Sequence, residues 1–498
     1  MFSPSFEEVK EISKNQEYRR IPISYELFSD IATPIEVLRI LKGISRHCYM
    51  LESIEDAENW GRYSFLGFDP LMEFTCQNGV VRIRGDENFE KLTDDEILIK
   101  TDNPSEIIRD LVKWNKSPKL DFLPPFTGGF VGYFAYDYIK YAEPSLNLDA
   151  ENQDQFKDID LMLFDKVIAF DNFRQKIILI SNMKTDDLKN NYDEACRELK
   201  ELADLIINGR KAKIEPLTLK SDFKPVFSKE KYCSMVLKAK DYIKEGDIFQ
   251  VVLSNRIEAE ISGSLFDTYR VLRTTNPSPY MFYFSSDDIE IAGASPETLV
   301  KLTDRKLYTF PLAGTRPRGK TEEEDLQLEK DLLADEKELA EHNMLVDLGR
   351  NDIGRISEIG SVHVDKYLSI ERFSHVMHIG STVSGTLRSD LDSLAAIDSI
   401  LPAGTLSGAP KIRACEIINE LEDNKRGIYG GAIGYVDLSG NIDTCISIRI
   451  AFARNNKVFI RSGAGIVADS VPENEFDECL NKAAAVINAL KIADGGLE

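Results

Sequence analysis

Cysteine and tryptophan are scarce in this chain, with seven cysteines and two tryptophans in 498 residues. The cysteines are scattered and odd in number, and no two of them form a Cys-x-x-Cys pair. The sequence therefore excludes a disulfide framework and a cysteine-rich zinc cluster as its organising element. We expect the thiols to be reduced and mostly buried.

Long apolar runs are also missing. No stretch approaches the roughly 18 apolar residues of a membrane-spanning helix. The first residues, MFSPSFEEVKEISKNQEYRR, lack the basic-then-apolar order of a signal peptide. We therefore expect a cytoplasmic protein.

Basic residues are fewer than acidic ones. The chain has 61 Lys and Arg and 84 Asp and Glu, which gives a formal net charge of −23. This balance argues against nucleic acid or an anionic membrane as a partner, since phosphate recognition needs a basic surface. Any anionic substrate must then be met by a local cationic patch or a metal. The 43% hydrophobic content is ample for large cores and several domains.

The distribution of short apolar runs and charged stretches divides the chain in two. We predict an N-terminal region over 1–207, a linker over 208–228, and a C-terminal region over 229–498. Helical spacing predicts helices over 322–347, 407–422 and 472–490, the last starting at Pro472. Strands are predicted over 429–437, 442–453 and 457–462.

Alternation within 442–453 places Arg449 on the face opposite an aliphatic row. Either a solvated charge or a ligand-binding guanidinium fits this pattern. Two helical pairs, Glu338 with Glu341 and Glu475 with Glu478, each put two carboxylates on one face. Convergence of the pairs would make an oxygen cage for a hard cation such as Mg²⁺, although each pair alone is typical of solvated surface.

The segment SGAGIVADS imitates a dinucleotide-binding fingerprint. Only about thirty residues follow it, which we expect to be too few for the rest of a Rossmann unit, so we set aside a nicotinamide oxidoreductase. Gly463 and Gly465 instead let backbone N–H groups approach an anionic ligand, or form a structural turn. His378 and Glu297 are single candidates that could equally be structural.

Several long motifs occur in order between about 225 and 490: SPET, PLAGTRPRG, AEHNMLVDLGRND, FSHVMHIGSTV, PAGTLSGAPK, GGAIGYVD and SGAGIVADSVPENEFDECLNKA. Together they resemble the chorismate-utilising enzyme family. MLES at 50–53, WGRYSFLG at 60–67 and GGFVGYFAYD at 128–137 resemble the large subunits of the anthranilate synthases within it.

The resemblance implies an α/β (α+β) fold of antiparallel sheets packed as a sandwich and flanked by helices, with the active site in a cleft. It implies an Mg²⁺ site at Glu338, Glu341, Glu475 and Glu478. His378, Glu297 and Lys482 match the catalytic positions. The substrate-binding positions match Thr405, Tyr429, Arg449, Gly463, Ala464, Gly465, Gly314 and Thr315.

The implied reaction is the first committed step of tryptophan biosynthesis. Mg²⁺ holds the ring carboxylate of chorismate, and ammonia adds at C2 while the C4 hydroxyl leaves with a proton from Glu297. Loss of the C2 proton and of pyruvate then gives anthranilate. His378 assists the elimination by a hydrogen bond or a proton transfer.

Two positions distinguish the subfamilies that the resemblance brings together. Aminodeoxychorismate synthases commonly carry a nucleophilic lysine where this chain has Ala313. The water-using isochorismate and salicylate synthases carry a lysine base where it has Gln250. Both departures favour ammonia as the nucleophile, with aminodeoxychorismate synthase component I as the alternative.

The resemblance also implies a tryptophan pocket for feedback inhibition. It is formed by Glu52, Ser53, Asn276, Pro279, Tyr280, Met281, Ile433, Tyr435 and Cys445. Glu52 would take the amino group of tryptophan and the Pro-Tyr-Met wall its indole. A ligand-free interface, or a tryptophan-sensing partner without turnover, are the alternatives to this interpretation.

No glutaminase module is evident in the sequence. We therefore expect a hetero-oligomer in which a glutamine amidotransferase subunit, anthranilate synthase component II, delivers the ammonia.

Overall fold

The computed structural model describes residues 2–53, 61–86, 91–372 and 376–497. The first three residues of the motif FSHVMHIGSTV and the first of WGRYSFLG lie outside these ranges. Within the described residues, no helix combines the length and the apolar character needed to cross a membrane.

The strands alternate with turns along the whole described chain. Their bounds are β1 Phe2–Ser3, β2 Arg20–Phe28, β3 Cys48–Glu52, β4 Tyr63–Phe68, β5 Met72–Gln77, β6 Val80–Arg84, β7 Glu96–Lys100, β8 Gly129–Phe134, β9 Ile159–Phe164, β10 Lys166–Asp171, β11 Lys176–Lys184, β12 Thr218–Leu219, β13 Lys224–Pro225, β14 Gln250–Ser262, β15 Tyr280–Ser285, β16 Glu290–Ser295, β17 Thr298–Thr303, β18 Lys306–Thr309, β19 Leu312–Pro317, β20 His363–Arg372, β21 Val376–Thr386, β22 Gly408–Ala409, β23 Ala432–Asp437, β24 Ile442–Ile446, β25 Ile450–Arg454 and β26 Lys457–Ile466.

The helices mostly connect strands on the outside of the sheets. Their bounds are α1 Phe6–Ile12, α2 Pro34–Leu41, α3 Pro104–Trp114, α4 Ile139–Ala142, α5 Leu188–Asn208, α6 Lys229–Glu245, α7 Phe266–Thr275, α8 Glu322–Leu333, α9 Glu336–Gly354, α10 Ser393–Ile400, α11 Lys411–Glu422 and α12 Pro472–Ala493, with 3-10 turns at Ser29–Ile31, Tyr136–Tyr138 and Gly404–Leu406.

Two large antiparallel sheets organise these strands. The first sheet has the order β1-β2-β11-β10-β4-β3-β15-β16-β25-β26-β14-β12, with β13 and β22 also paired to β14. The second sheet has the order β19-β21-β18-β17-β24-β23-β8-β9-β5-β6-β7, with β20 paired to β21. Each sheet contains strands from the predicted N-terminal region, 1–207, and from the predicted C-terminal region, 229–498. The position of the linker between these regions stays a prediction.

The sheets pack face to face around an aromatic-rich core. Tyr49 and Phe282 of the first sheet meet Phe164 and Tyr435 of the second in this buried cluster. A second core lies between the outer face of the first sheet and α2, α5, α7 and α12, and a third lies between the second sheet and α3, α9 and α10. The expected sandwich of antiparallel sheets flanked by helices is thereby confirmed.

Two predicted helices differ from those observed. The segment predicted as one helix over 322–347 forms α8 and α9, because the Asp335 side chain accepts hydrogen bonds from the backbone N–H groups of Lys337 and Glu338 and caps a new helix. The helix predicted from 407 begins at Lys411, because Gly408 and Ala409 pair with β14 instead.

The strand predicted over 442–453 is also two strands, β24 in the second sheet and β25 in the first. The chain crosses between the sheets over residues 447–449, where Arg449 has a φ of +52°. The expectation that Arg449 projects from the face of one continuous strand is wrong, because Arg449 lies in the break between β24 and β25.

Candidate active site and a second pocket

A large cavity of about 590 Å³ opens where β14 and β26 of the first sheet approach β19 and β21 of the second. The helices α9 and α12 form its walls. The sequence-predicted residues that line it are Gln250, Glu297, Ala313, Gly314, Thr315, Glu338, Glu341, His378, Thr405, Tyr429, Arg449, Gly463, Gly465, Glu475, Glu478 and Lys482. Residues up to 232 positions apart in the sequence, from 250 to 482, thus converge on one site.

Glu297 lines the large cavity and lies in the link between β16 and β17. Its Oε1 accepts a hydrogen bond from the Thr405 hydroxyl at 3.1 Å. Burial raises the pKa of the Glu297 carboxyl to about 7, against the lowering influence of Thr405, Arg449 and Lys482. A carboxyl with this pKa is partly protonated at neutral pH and can act as a general acid.

Arg449 and Lys482 supply positive charge beside this carboxyl. Burial lowers the pKa of the Arg449 guanidinium, whereas the charge of Glu297 raises it. Lys482 Nζ lies 2.7 Å from Glu478 Oε1 and donates to the Gly463 carbonyl oxygen at 3.2 Å. Two cations around one buried acid make this part of the cavity suited to an anionic ligand.

The glycines of β26 present backbone groups to the large cavity. The Gly463 carbonyl points to Lys482 rather than to the paired strand β14, and in an antiparallel ladder the N–H of the same residue points the same way. Gly465, two residues further on, shares this orientation. A Cβ at Gly463 would lie 2.7 Å from the Leu253 carbonyl oxygen, and one at Gly465 would lie 2.7 Å from Gln250 Nε2.

Ala464 does not line the large cavity. Because side chains alternate along a strand, its methyl group points to the opposite face of β26. It is fully buried there, in a core with Val251, Ile466 and Cys479. A substrate-binding role through its side chain is therefore not supported by its position.

His378 lies on β21, opposite Thr315 of β19. Its Nδ1 is 2.9 Å from the Gly314 carbonyl oxygen and 3.1 Å from the Thr315 hydroxyl. Since a carbonyl oxygen can only accept, Nδ1 carries the proton and Nε2 is the acceptor nitrogen. Burial lowers the pKa of the imidazole, which favours the neutral form.

Gly314 shapes the backbone that holds this histidine. It has a φ of +66° at the register shift between Ala313 and Thr315. An added Cβ would lie 3.0 Å from Leu332 Cδ1 and 3.2 Å from Glu338 Oε2. Both the left-handed backbone and the crowding favour glycine here.

The two glutamate pairs face each other across the large cavity. Burial raises the pKa of the Glu341 carboxyl, and the charges of Glu338 and Glu478 raise it further. Burial likewise raises the pKa of Glu475, again with a contribution from Glu478. Mutual repulsion among carboxylates from α9 and α12 is the condition that a divalent cation relieves, and oxygen ligands suit Mg²⁺.

A tighter acidic group lies elsewhere. In the described residues, Glu73, Asp160 and Asp288 are the acidic ligands whose oxygens come within 4.8 Å of one another. Lys157 Nζ already sits among them, 2.9 Å from Asp160 and 3.0 Å from Asp288. Arg84 lies 2.9 Å from Glu73 and Arg454 lies 3.0 Å from Asp288, so three cations already balance the three carboxylates and we do not place the expected Mg²⁺ there.

A buried ionic group lies beneath the large cavity and was not predicted from the sequence. The Glu422 carboxylate contacts the guanidinium groups of Arg426 and Arg461, each at 2.5 Å. Arg426 also donates to the Leu406 carbonyl oxygen at 2.6 Å, next to Thr405. Alternation in β26 places Arg461 on the same face as Gly463 and Gly465, a signal that could have identified it.

A second pocket of about 110 Å³ lies between the two sheets. The sequence-predicted residues that line it are Glu52, Ser53, Pro279, Tyr280, Met281, Ile433, Tyr435 and Cys445. Asn276 is not among the lining residues, because it follows the end of α7 and its side chain accepts a hydrogen bond from Thr275.

Some polar groups of the second pocket have hydrogen-bond partners and others have none among the described residues. The Glu52 carboxylate accepts hydrogen bonds from Tyr269 and Arg273, both at 2.6 Å. The Ser53 hydroxyl is buried and has no hydrogen-bond partner among the described residues. Lys301 and Asp443, which lie 3.3 Å apart, also line this pocket and were not predicted.

Comparisons with known proteins agree with this geometry. A family model described as chorismate binding enzyme matches residues 46–488. Anthranilate synthase component 1 of Acetivibrio thermocellus is 44% identical, over 99% of this chain and 99% of that protein. The same component of Aquifex aeolicus is 43% identical, again over 99% of both.

A solved structure extends the agreement to the fold. The crystal structure of anthranilate synthase component I from Streptococcus pneumoniae TIGR4 matches with a TM-score of 0.73 and 38% sequence identity, covering 92% of this chain and 98% of that one. The chain belongs to the chorismate binding enzyme family.

Proposed function

We propose that this chain converts chorismate and ammonia to anthranilate, pyruvate and water, as component 1 of an anthranilate synthase. The observation that carries the proposal is the Glu297 carboxyl, with a pKa of about 7, beside two cations in the large cavity. The named relatives are anthranilate synthase components at 43–44% identity over nearly the whole chain.

Chorismate carries two carboxylates, and the large cavity offers two kinds of group to receive them. Arg449, Lys482 and the N–H groups of Gly463 and Gly465 form a cationic side that binds one carboxylate. Glu338, Glu341, Glu475 and Glu478 would hold Mg²⁺ next to it, because Lys482 contacts Glu478. When bound, the metal supplies positive charge to the ring carboxylate and its conjugated ring.

Proton transfers fall to Glu297 and His378. Protonated Glu297 donates its proton to the C4 hydroxyl, which leaves as water while ammonia forms a bond to C2. The Thr405 hydroxyl orients the carboxyl for this transfer. In the elimination of pyruvate the C2 proton is lost, and the acceptor nitrogen Nε2 of His378 assists this step.

Two neutral side chains favour ammonia as the nucleophile. Ala313 has no amine to attack C2, and Gln250 cannot deprotonate water; both line the large cavity. Ammonia comes from a glutamine amidotransferase subunit, consistent with the component 1 names of the relatives.

The second pocket is proposed to bind tryptophan and to regulate the enzyme. Its apolar wall of Pro279, Tyr280 and Met281 suits an indole ring. The Ser53 hydroxyl, buried without a partner among the described residues, is available to a polar group of the amino acid. Glu52 receives the ligand's ammonium beside its existing partners.

The test is anthranilate fluorescence from the purified chain with chorismate, ammonium and Mg²⁺, with and without EDTA or tryptophan. We expect metal-dependent fluorescence that tryptophan suppresses. Chorismate consumption without anthranilate would point to aminodeoxychorismate or isochorismate instead. If chorismate is not consumed, repeating the assay with an amidotransferase component and glutamine separates an obligatory partner from a non-catalytic tryptophan sensor.

A further inference from the structure

Two chain segments connect the sheets side by side between the large cavity and the second pocket. One, residues 295–298, runs from β16 of the first sheet to β17 of the second. The other, residues 446–449, runs from β24 of the second sheet back to β25 of the first. We call these two segments the paired crossovers.

Hydrogen bonds join the paired crossovers to each other. Ile446 N–H donates to the Glu297 carbonyl oxygen at 2.9 Å, and the Ser295 hydroxyl donates to the Ile446 carbonyl oxygen at 2.7 Å. The Arg449 carbonyl oxygen accepts from Ala294 N–H at 3.2 Å. Displacement of one segment therefore displaces the other.

The paired crossovers border both cavities. Glu297 and Arg449 line the large cavity. Cys445, which immediately precedes one crossover, lines the second pocket. Tyr280 and Met281 of that pocket lie on β15, whose register places Tyr280 opposite Ser295. The wall of the second pocket is thus continuous with the backbone that carries the two catalytic-site groups.

Thr298 makes the most direct connection. Its hydroxyl lies 3.0 Å from Tyr280 Oη. Tyr280 donates its own proton to Asp443 Oδ1 at 2.8 Å, so the Thr298 hydroxyl is the donor to Tyr280. Thr298 is buried and follows Glu297 directly in the chain. One hydrogen bond and one peptide unit therefore separate the second pocket from the buried acid.

We propose that Thr298 is a positioning residue for Glu297, through which a ligand in the second pocket controls the large cavity. The proposal rests on the tryptophan regulation proposed above. A ligand against Tyr280 shifts the phenol and its bonded threonine, and the paired crossovers carry that shift to Glu297 and Arg449. Tryptophan and chorismate then favour different positions of the same segment, which is a coupling between sites.

The test compares tryptophan binding with inhibition in three variants of the full chain. Thr298→Val removes the hydroxyl, Thr298→Ser keeps it, and Thr309→Val removes a hydroxyl bonded instead to the Leu299 carbonyl oxygen. Equilibrium dialysis with labelled tryptophan, with and without chorismate and without ammonia, gives the dissociation constants. Anthranilate formation, normalised to each variant's uninhibited rate, gives the inhibition.

We call the unsubstituted chain the parent. In the parent and in the variants Thr298→Ser and Thr309→Val, we expect chorismate to weaken tryptophan binding by about tenfold, within the usual range of allosteric coupling. In Thr298→Val, tryptophan should still bind in the absence of chorismate, but the chorismate effect and the inhibition should largely disappear. The proposal would be overturned if tryptophan still inhibited Thr298→Val completely, at concentrations that match the dissociation constant measured for this variant.

Two further outcomes are separable from this one. If the parent itself neither binds tryptophan nor is inhibited by it, the proposed regulation fails, and the parent alone reveals it. If Thr298→Val does not fold, Tyr280→Phe removes the same hydrogen bond from the other side. If tryptophan inhibits Tyr280→Phe at concentrations that match the tryptophan dissociation constant of that variant, the role of Thr298 is equally overturned.

Discussion

Replacing Glu297 by Gln should stabilise the protein at neutral pH while removing most of its activity. Gln keeps the size of the side chain and can still accept the hydrogen bond from Thr405, but it carries no titratable proton. The two effects have one origin, because the environment that raises the pKa of the carboxyl to about 7 disfavours its charged form.

The magnitude follows from the rise in pKa from an ordinary 4.5 to about 7. Between these values the folded state holds a proton that the unfolded state has released, so stability falls as the pH rises through this window. At about 1.4 kcal/mol per pH unit, the loss above pH 7 reaches about 3 kcal/mol. Water in the open cavity makes this an upper figure.

Urea unfolding of the parent and Glu297→Gln between pH 5 and pH 8 measures this difference. The free energy of unfolding of the variant minus that of the parent should increase as the pH rises. This difference should level off above pH 7. Glu473→Gln on α12, outside the large cavity, is the matched control. A difference that stays constant across the range would mean that Glu297 has an ordinary pKa and would refute the reasoning.

The pH dependence of activity is a second test of the protonation of Glu297. The protonated carboxyl is the active form, so the turnover rate of the parent should fall about tenfold for each pH unit above 7. Glu297→Gln should lose a factor of about 10² to 10⁴, the usual contribution of a general acid. It should also lose this limb of the pH profile.

Three shorter predictions concern the remaining parts of the two sites. Glu478→Gln should abolish Mg²⁺-dependent anthranilate formation while Glu473→Gln retains it, and full activity in the former would remove the metal assignment. Ser53→Leu and Met281→Ala should keep activity and resist tryptophan, so unchanged inhibition curves in both would contradict the pocket assignment. Gly314→Ala should lose about 1–2 kcal/mol in urea unfolding from its left-handed backbone, together with activity; parent-like values for both would show that glycine is not required.

Local sequence patterns were sufficient for the parts of the site that helices carry. The helix predicted from Pro472 begins there, and its Glu475 and Glu478 face the large cavity as their spacing of three implies. Asp335 marks a helix start that apolar spacing alone does not reveal. A short acidic residue followed three positions later by Glu338 is a typical helix start, and it divides the predicted long helix in two.

The crossing of the chain between the sheets could not be found in the same way. Apolar alternation continues through residues 447–449, so a local reading extends one strand across them. The break depends on distant partners: Ser447 N–H donates to the Gly431 carbonyl oxygen, and its own carbonyl oxygen accepts from Gly430 N–H, both at 2.9 Å. These contacts exist only after β23 and β24 have paired.

The charge balance of the site likewise depends on folding. A net charge of −23 repels a dianion at long range, yet the buried Glu422, Arg426 and Arg461 together carry one excess positive charge below the large cavity. Arg449 adds a further positive charge at the cavity wall, whereas Lys482 is paired with Glu478. Buried charges are screened by salt and water far less than exposed ones, so these arginines act strongly on an anion at the point of binding. The four glutamates of the same cavity act against it unless a divalent cation balances them.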